Sequence, residues 1–196
     1  MYITRLLASA CAIVALAGCA HPMIIKPDID TLVPSATSIK IQKSVGFYIS
    51  AADRSSEITT AGGGGDKVRY HPYADMETGL YKIFSNVFTD VTVLSGANDT
   101  ASIAKNKVVY VIEPKITTNS SSSGFFTWMA TDFTVSLTCR ISDTSGHQIA
   151  NVASTGTGHA EFDELKANFS LAGQRAALDA LLDEQTALFS SAVLRQ

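Results

Sequence analysis

The chain has 196 residues, of which 15 are Lys or Arg and 18 are Asp or Glu, so its formal net charge is −3. A composition of 46% hydrophobic and 17% charged residues is typical of a folded domain and excludes a disordered tail. The acidic balance excludes a basic nucleic-acid interface as the leading interpretation. The only long apolar run is N-terminal, which excludes a protein that spans the membrane several times. We therefore expect one globular domain behind a targeting segment.

Residues 1–18 have the pattern of a secretory signal peptide. Arg5 supplies a positive charge, and the uncharged run Leu6–Gly18 is shorter than the about 20 residues that a membrane-spanning helix needs. The run ends in the sequence Leu-Ala-Gly-Cys at Leu16–Cys19, which resembles the bacterial lipobox. That resemblance implies cleavage before Cys19, a diacylglycerol on its thiol and acylation of the new N-terminus. The alternatives are cleavage at an Ala-x-Ala-like site and an uncleaved anchor.

The residue after the cysteine bears on the membrane in which such a lipoprotein stays. Ala20 stands where inner-membrane lipoproteins often carry Asp, so the resemblance implies the periplasmic face of the outer membrane. Several acyl chains would anchor the protein firmly, because each buried CH₂ contributes about 0.8 kcal/mol and one chain alone binds weakly. With Cys11 in the signal peptide and Cys19 lipidated, Cys139 has no disulfide partner.

After the cysteine, the pattern predicts a lipidated N-terminus and tether over 19–44 and one periplasmic domain over 45–196. The tether is indicated by several prolines without periodicity. Within the domain we predict, in chain order, a strand at 45–49, a glycine-rich loop within 50–72, a helix over 74–89, a strand at 91–94, a strand at 108–118, a hairpin over 133–162 and a C-terminal helix from 171 to 193.

Two amphipathic helices and a sheet with one apolar face favour a particular fold class. We predict an α+β two-layer sandwich, with a mostly antiparallel or mixed sheet of four to five strands and both helices on one face. Pro114 predicts a bulge or an edge position in the second half of its strand, because proline cannot donate to a ladder. Strict alternation from Phe133 to Ile141 predicts a strand with one buried face.

One loop carries candidate contact residues. The polar segment Asn119–Gly124 leads into Phe125, Phe126, Trp128 and Met129. Exposed aromatic side chains on a loop tip could insert into a lipid headgroup region or a partner groove. The alternative is that they fold back over the sheet as ordinary core. Residues 70–73 (Tyr-His-Pro-Tyr) allow either a second contact patch or a turn packed by two tyrosines.

The sequence contains no convincing catalytic, metal or cofactor motif. Gly62–Gly65 precedes Asp66-Lys67 and lacks the Gly-Lys-Ser/Thr sequence of a phosphate-binding loop. Cys139 could be a nucleophile with His147 or His159 as its base, but its place in an alternating apolar face predicts a buried, unreactive thiol. The histidines show no metal-ligand spacing. We therefore expect neither a metal nor a cofactor, and no enzyme.

The motif at Leu16–Cys19 and the order of elements together resemble the small periplasmic α/β lipoproteins of Gram-negative envelopes. These include the lipopolysaccharide-assembly lipoprotein, auxiliary lipoproteins of ABC-type lipid transport and activators of penicillin-binding proteins. The resemblance concerns the fold and leaves the function open. It implies a non-catalytic accessory protein that is held on the membrane by its lipid and docks to an envelope protein. The alternatives are a binding module for an amphipathic lipid or glycan, held between helices and sheet, and an enzyme.

Overall fold

The computed structural model describes residues 20–34, 38–124 and 127–196. The strands are β1 (Ala20–Pro22), β2 (Ile41–Phe47), β3 (Ile58–Ala61), β4 (Lys67–Tyr70), β5 (Phe88–Val93), β6 (Tyr110–Ser121), β7 (Asp132–Asp143) and β8 (Gln148–His159). The α-helices are α1 (Ala51–Ser55), α2 (Pro72–Val87), α3 (Thr100–Lys105), α4 (Phe162–Ala167) and α5 (Leu171–Ser190). No helix in these ranges is long and apolar enough to cross a bilayer.

The main sheet has five strands in the order β5-β2-β6-β7-β8. Strand β2 is parallel to both β5 and β6, whereas β6, β7 and β8 are antiparallel, so the sheet is mixed. In β7 the apolar residues predicted to face inward, from Phe133 to Ile141, are all buried. The predicted hairpin and the α+β class are therefore confirmed.

Pro114 lies in the part of β6 that is no longer paired with β2. Strand β2 pairs with β6 only at Tyr110–Ile112, while β7 accompanies β6 along its whole length. A residue beyond Ile112 therefore needs no ladder donor toward β2, so a proline is tolerated there. The predicted edge position in the second half of this strand is confirmed.

A second sheet, in the order β1-β4-β3, was not expected from the sequence. Strands β3 and β4 form a hairpin around Gly62–Gly65, in which Gly64 and Gly65 have φ values of 64° and 90°. These positive φ values favour glycine, so the run forms a tight turn. The sequence predicts a loop over 50–72, because strands of only four residues are too short for an alternation of apolar and polar residues to be recognised.

The segment after Cys19 packs on the domain over 20–34, which corrects its assignment to a tether. Met23, Ile25 and Leu32 are buried in the main core. The Met23 amide donates to the Arg69 carbonyl at 2.9 Å, and the Ile25 amide donates to Asp75 Oδ2 at 3.0 Å. The prolines lie in irregular backbone, which is held in place by buried side chains. Because irregular backbone has no regular spacing of apolar residues, the sequence pattern does not predict that this segment is packed.

Helix α5 packs directly on β7 and β8, and α2 packs beside α5 and contacts β5 and β6. The approach of α5 is close: a Cβ built on Gly156 would lie 2.1 Å from the Ala180 nitrogen, and one on Gly158 would lie 2.0 Å from the Ala172 oxygen. Helix α2 meets α5 where Gly79 faces Leu181. Small residues thus let the helices approach both the sheet and each other.

Candidate functional site

The beginning of β1 places the residue that follows Cys19 at one end of the molecule. Ala20 pairs with Lys67, the first residue of β4, and Lys67 also pairs with Ala61, the last residue of β3. The Ser120 hydroxyl at the end of β6 donates to the Ala61 carbonyl at 2.5 Å. The end of β6, the start of β7 and the end of β8 lie side by side. The start of β1 and the loop after β6 are therefore at the same end, which we call the N-terminal end.

Two loops pack against each other at the N-terminal end. The Gly63 amide donates to the Trp128 carbonyl at 3.0 Å. A Cβ on Gly62 would lie 2.3 Å from the Trp128 oxygen, and one on Gly63 would lie 2.0 Å from the Thr127 oxygen. The glycines therefore allow the backbone of Thr127 and Trp128 to approach closely.

Trp128 lies at the centre of a small apolar surface. Its ring stacks on His21, with centroids 4.2 Å apart and an interplanar angle of 21°, and lies 5.6 Å from the Phe169 ring. Ile24 is 59% exposed and Phe169 is 45% exposed, and the Ile24 amide donates to the Ser170 hydroxyl at 3.2 Å. We call His21, Ile24, Trp128 and Phe169 the N-terminal patch.

The predicted site residues have different locations. Cys19, Phe125 and Phe126 lie outside the described residues, so their predicted roles stay predictions. Trp128 is half-buried within the N-terminal patch. Met129 is only 9% exposed and belongs to the main core. Its side chain therefore packs inward, which disagrees with its predicted role as a contact residue.

The structure decides between the two interpretations of residues 70–73. Tyr70 is buried, and its hydroxyl lies 2.7 Å from Thr118 Oγ1 of the main sheet. The hydroxyl of Tyr73 accepts a hydrogen bond from the Ile116 amide at 3.1 Å. Tyr70 therefore joins β4 of the second sheet to β6, and Tyr73 joins α2 to β6, as the interpretation of a packed turn predicts.

Sequence reasoning missed His21, Ile24 and Phe169. Ile24 and His21 were assigned to a tether, and Phe169 belongs to the short connection between α4 and α5. Each is unremarkable in its local sequence. They form a patch with Trp128 only because β1 pairs with β4 and the start of α5 packs against residues 23–25, and neither contact leaves a local signal.

Charged side chains border the N-terminal end. His159 Nδ1 lies 2.8 Å from Asp132 Oδ1, and His159 Nε2 lies 3.1 Å from Glu161 Oε1. These hydrogen bonds, that to Asp132 first, raise the pKa of His159 above its ordinary value. All three side chains are largely exposed, so the ion pairs contribute little to stability. Among the described residues, no group of three or more His, Cys, Asp or Glu side chains is arranged to hold a metal ion.

Cys139 is fully buried, as the alternation of β7 predicts. Burial raises the pKa of its thiol well above the ordinary value, with the neighbouring Glu184 adding to the rise. A thiol in this state is a poor nucleophile. His147 and His159 stand at opposite ends of β8 and are exposed, so the structure does not assemble the cysteine–histidine pair considered above.

Comparisons with known proteins leave the family open. No family model matches the chain, and no curated protein matches it. Among solved structures, a Xanthomonas campestris protein assigned to the DUF330 family model is similar, with 12% identity, coverage of 88% of this chain and 94% of that chain, and a TM-score of 0.46.

Two further structures are also similar to the chain. A minor lipoprotein from Acinetobacter baumannii has 10% identity, covers 74% of this chain and 94% of its own, and has a TM-score of 0.37. A dodecameric PelC variant from Paraburkholderia phytofirmans has 14% identity, covers 78% of this chain and 96% of its own, and has a TM-score of 0.39. Similarities of this degree assign neither a family nor a function.

Proposed function

We propose that this protein is a lipid-anchored, non-catalytic accessory protein of the cell envelope. Its lipid is attached at Cys19, and its domain lies at the periplasmic face of the outer membrane, where it docks to an envelope assembly or transport protein. The observation that carries the proposal is the position of Ala20. The residue directly after the lipobox cysteine is already part of β1 and pairs with Lys67.

This position determines how far the domain can move from its anchor. A tether of residues 20–44 would reach roughly 80 Å when fully extended. With Ala20 held in β1, only about 3.8 Å separates its Cα atom from that of the lipidated residue. The domain is then held directly on the bilayer surface, so its partner must be embedded in the same membrane or bound to it.

The position of Trp128 supports the same function. Trp128 lies at the end from which the chain leaves toward Cys19, as do the Gly62–Gly65 turn and Phe169. Phe125 and Phe126 belong to the same loop, and we propose that they take part in contact there. A lipid anchor and a set of aromatic contacts at one end of a domain suit a protein that works against a membrane surface.

The alternative of an amphipathic ligand between helix and sheet conflicts with the packing of α5. At Gly156 and Gly158 the backbone of α5 leaves no room even for a methyl group on β8. A ligand at this place would have to separate the helix from the sheet and expose buried side chains of both. We therefore place envelope docking ahead of ligand binding.

The test is intact-mass analysis of the protein extracted from fractionated membranes. We expect a mass increase of acyl size on the wild type, found in the outer-membrane fraction, and none on a Cys19→Ala variant. Cys11→Ala is the matched control, because it removes a cysteine of the signal peptide and leaves the lipobox intact. An unmodified wild-type protein in the soluble periplasmic fraction would overturn the proposal.

A further inference from the structure

We propose that the N-terminal patch is a membrane-contact surface, which seats His21, Ile24, Trp128 and Phe169 in the headgroup region of the bilayer that carries the anchor. This inference deepens the proposed function and rests on lipidation at Cys19. It assigns the surface to a lipid partner, whereas the docking protein binds elsewhere on the domain.

The first argument is distance along the chain. Ile24 follows Cys19 by five residues, which span at most about 18 Å. His21 belongs to β1, and Trp128 stacks on it with a centroid separation of 4.2 Å. The patch is therefore built around the segment that leads to the anchor, and a lipid on Cys19 would bring the bilayer to it.

The second argument is the chemistry of the exposed side chains. Ile24 and Phe169 present large apolar groups to solvent, with 59% and 45% of their surfaces exposed. Trp128 and His21 have an apolar body and a polar edge, and such side chains are favoured at the boundary between hydrocarbon and water. Isolated exposed apolar residues are ordinary, but Phe169 packs against Trp128, and Ile24 is held beside Ser170, the residue after Phe169. A group of neighbouring exposed apolar residues around a tryptophan is typical of a contact surface.

The third argument concerns charge and selects the kind of lipid surface. At the rim, His21 Nε2 lies 3.3 Å from Asp66 Oδ2, and Lys67 follows directly. Opposite charges are thus present together among the described residues of the rim, and such an arrangement does not favour an anionic lipid surface over a zwitterionic one. We therefore expect contact with zwitterionic lipid, driven by apolar burial and insensitive to salt.

The anchor makes even a weak patch effective. An unattached domain with so few apolar side chains would bind vesicles poorly, because a small buried area gives little free energy. A covalent lipid converts the second contact into an intramolecular event with a high effective concentration. The patch then sets the orientation of the domain, while the lipid supplies the affinity.

The single tryptophan of the chain makes this orientation measurable, since Trp128 reports from the centre of the patch. The acylated protein is reconstituted into phosphatidylcholine vesicles with ordinary or brominated acyl chains. Bromine quenches tryptophan only at short range. We expect Trp128 emission to shift to shorter wavelength relative to the soluble Cys19→Ala protein, and to be quenched at least about twofold by the brominated lipid. Both effects should persist at 1 M salt.

Variants separate the patch from the anchor. The double variant Ile24→Ser, Phe169→Ser should keep its acyl mass but lose most of the quenching. Ile39→Ser is the matched control, because Ile39 is 74% exposed at the opposite end, where its carbonyl lies 3.5 Å from Arg195 Nη2. It should be quenched like the wild type. Thermal melting of each variant verifies folding.

The outcomes distinguish this proposal from the proposed function. An acylated, folded protein whose Trp128 is not quenched would overturn the membrane contact and leave the anchor intact. The same holds if the emission of Trp128 changes only when a membrane protein is added to the vesicles. A wild-type protein without an acyl mass would instead overturn the proposed function itself.

Discussion

Glu184 places a carboxyl group in the interface between α5 and the sheet. Its side chain is 0% exposed, and neither carboxylate oxygen has a hydrogen-bond partner among the described residues. Ser154 lies beside it, but its hydroxyl donates to the Ala180 carbonyl at 2.8 Å. Burial raises the pKa of Glu184 from 4.5 to about 7, and the nearby Cys139 and Ser154 oppose the rise only in part.

A raised pKa in the folded state makes stability depend on pH. Folded Glu184 keeps its proton up to about pH 7, whereas the unfolded chain releases it near pH 4.5. The folded state therefore binds more protons between these values, and stability falls as the pH rises through them. One pKa unit corresponds to about 1.4 kcal/mol, so this carboxyl group contributes about 3 kcal/mol at pH 4 that is absent at pH 9.

The substitution Glu184→Gln removes the titration and keeps the shape. At pH 5 we expect the variant to be less stable than the wild type, since the buried amide has two N–H donors without partners, whereas the neutral carboxyl group has one O–H donor. Raising the pH from 5 to 9 should shift the difference in the free energy of unfolding by about 2.5 kcal/mol in favour of the variant. Urea unfolding of both proteins at pH 5, 7 and 9 measures the difference.

A second variant controls for a general effect of removing charge from α5. Asp183 is exposed one residue earlier in the same helix, and Asp183→Asn should change stability by no more than about 0.5 kcal/mol. A constant free-energy difference between Glu184→Gln and the wild type across this pH range would refute the reasoning, because it would mean that the folded state does not shift the titration of Glu184.

Three further predictions address packing and reactivity. Gly156→Ala should destabilise the protein by about 3 kcal/mol in urea unfolding, because the added Cβ meets the backbone of α5. The control Gly96→Ala adds a Cβ in open space and should change stability by less than about 0.5 kcal/mol. Because Ile25 is buried in the core, Ile25→Ala should lower the free energy of unfolding by about 3 kcal/mol. The control Ile39→Ala removes an exposed side chain and should leave stability nearly unchanged. Equal shifts of the two variants in thermal melts would contradict the assignment of residues 20–34 to the core. The thiol of Cys139 should react with a thiol reagent at least about a thousandfold more slowly in the folded protein than in the unfolded protein, and its labelling should follow the unfolding curve in urea.

The elements that the sequence predicts well are those whose pattern repeats within the element. Strand β7 alternates over most of its twelve residues, and α2 and α5 carry apolar residues at helical spacing. Local periodicity of this kind arises because each element has one face toward the core, whatever that core contains. The Pro114 prediction succeeded for a related reason, since the missing amide hydrogen is a property of the residue itself.

The small sheet and the N-terminal patch depend on contacts that are distant in the chain. Ala20 pairs with Lys67, and Trp128 stacks on His21, so each contact joins residues whose local sequences contain no sign of the other. Strands of three or four residues are stable only as part of a larger sheet, which is why neither propensity nor periodicity predicts them. Their existence depends on the packing of the whole domain.

The lipobox resemblance, the α+β class and the buried state of Cys139 can be predicted without the structure, because each rests on residue chemistry or local alternation. That the segment after Cys19 packs on the domain, with His21 stacked on Trp128 and Ile24 held beside Ser170, is visible only in the folded chain. Burial of irregular backbone and contacts between loops depend on long-range packing, because they join residues that are distant in the chain.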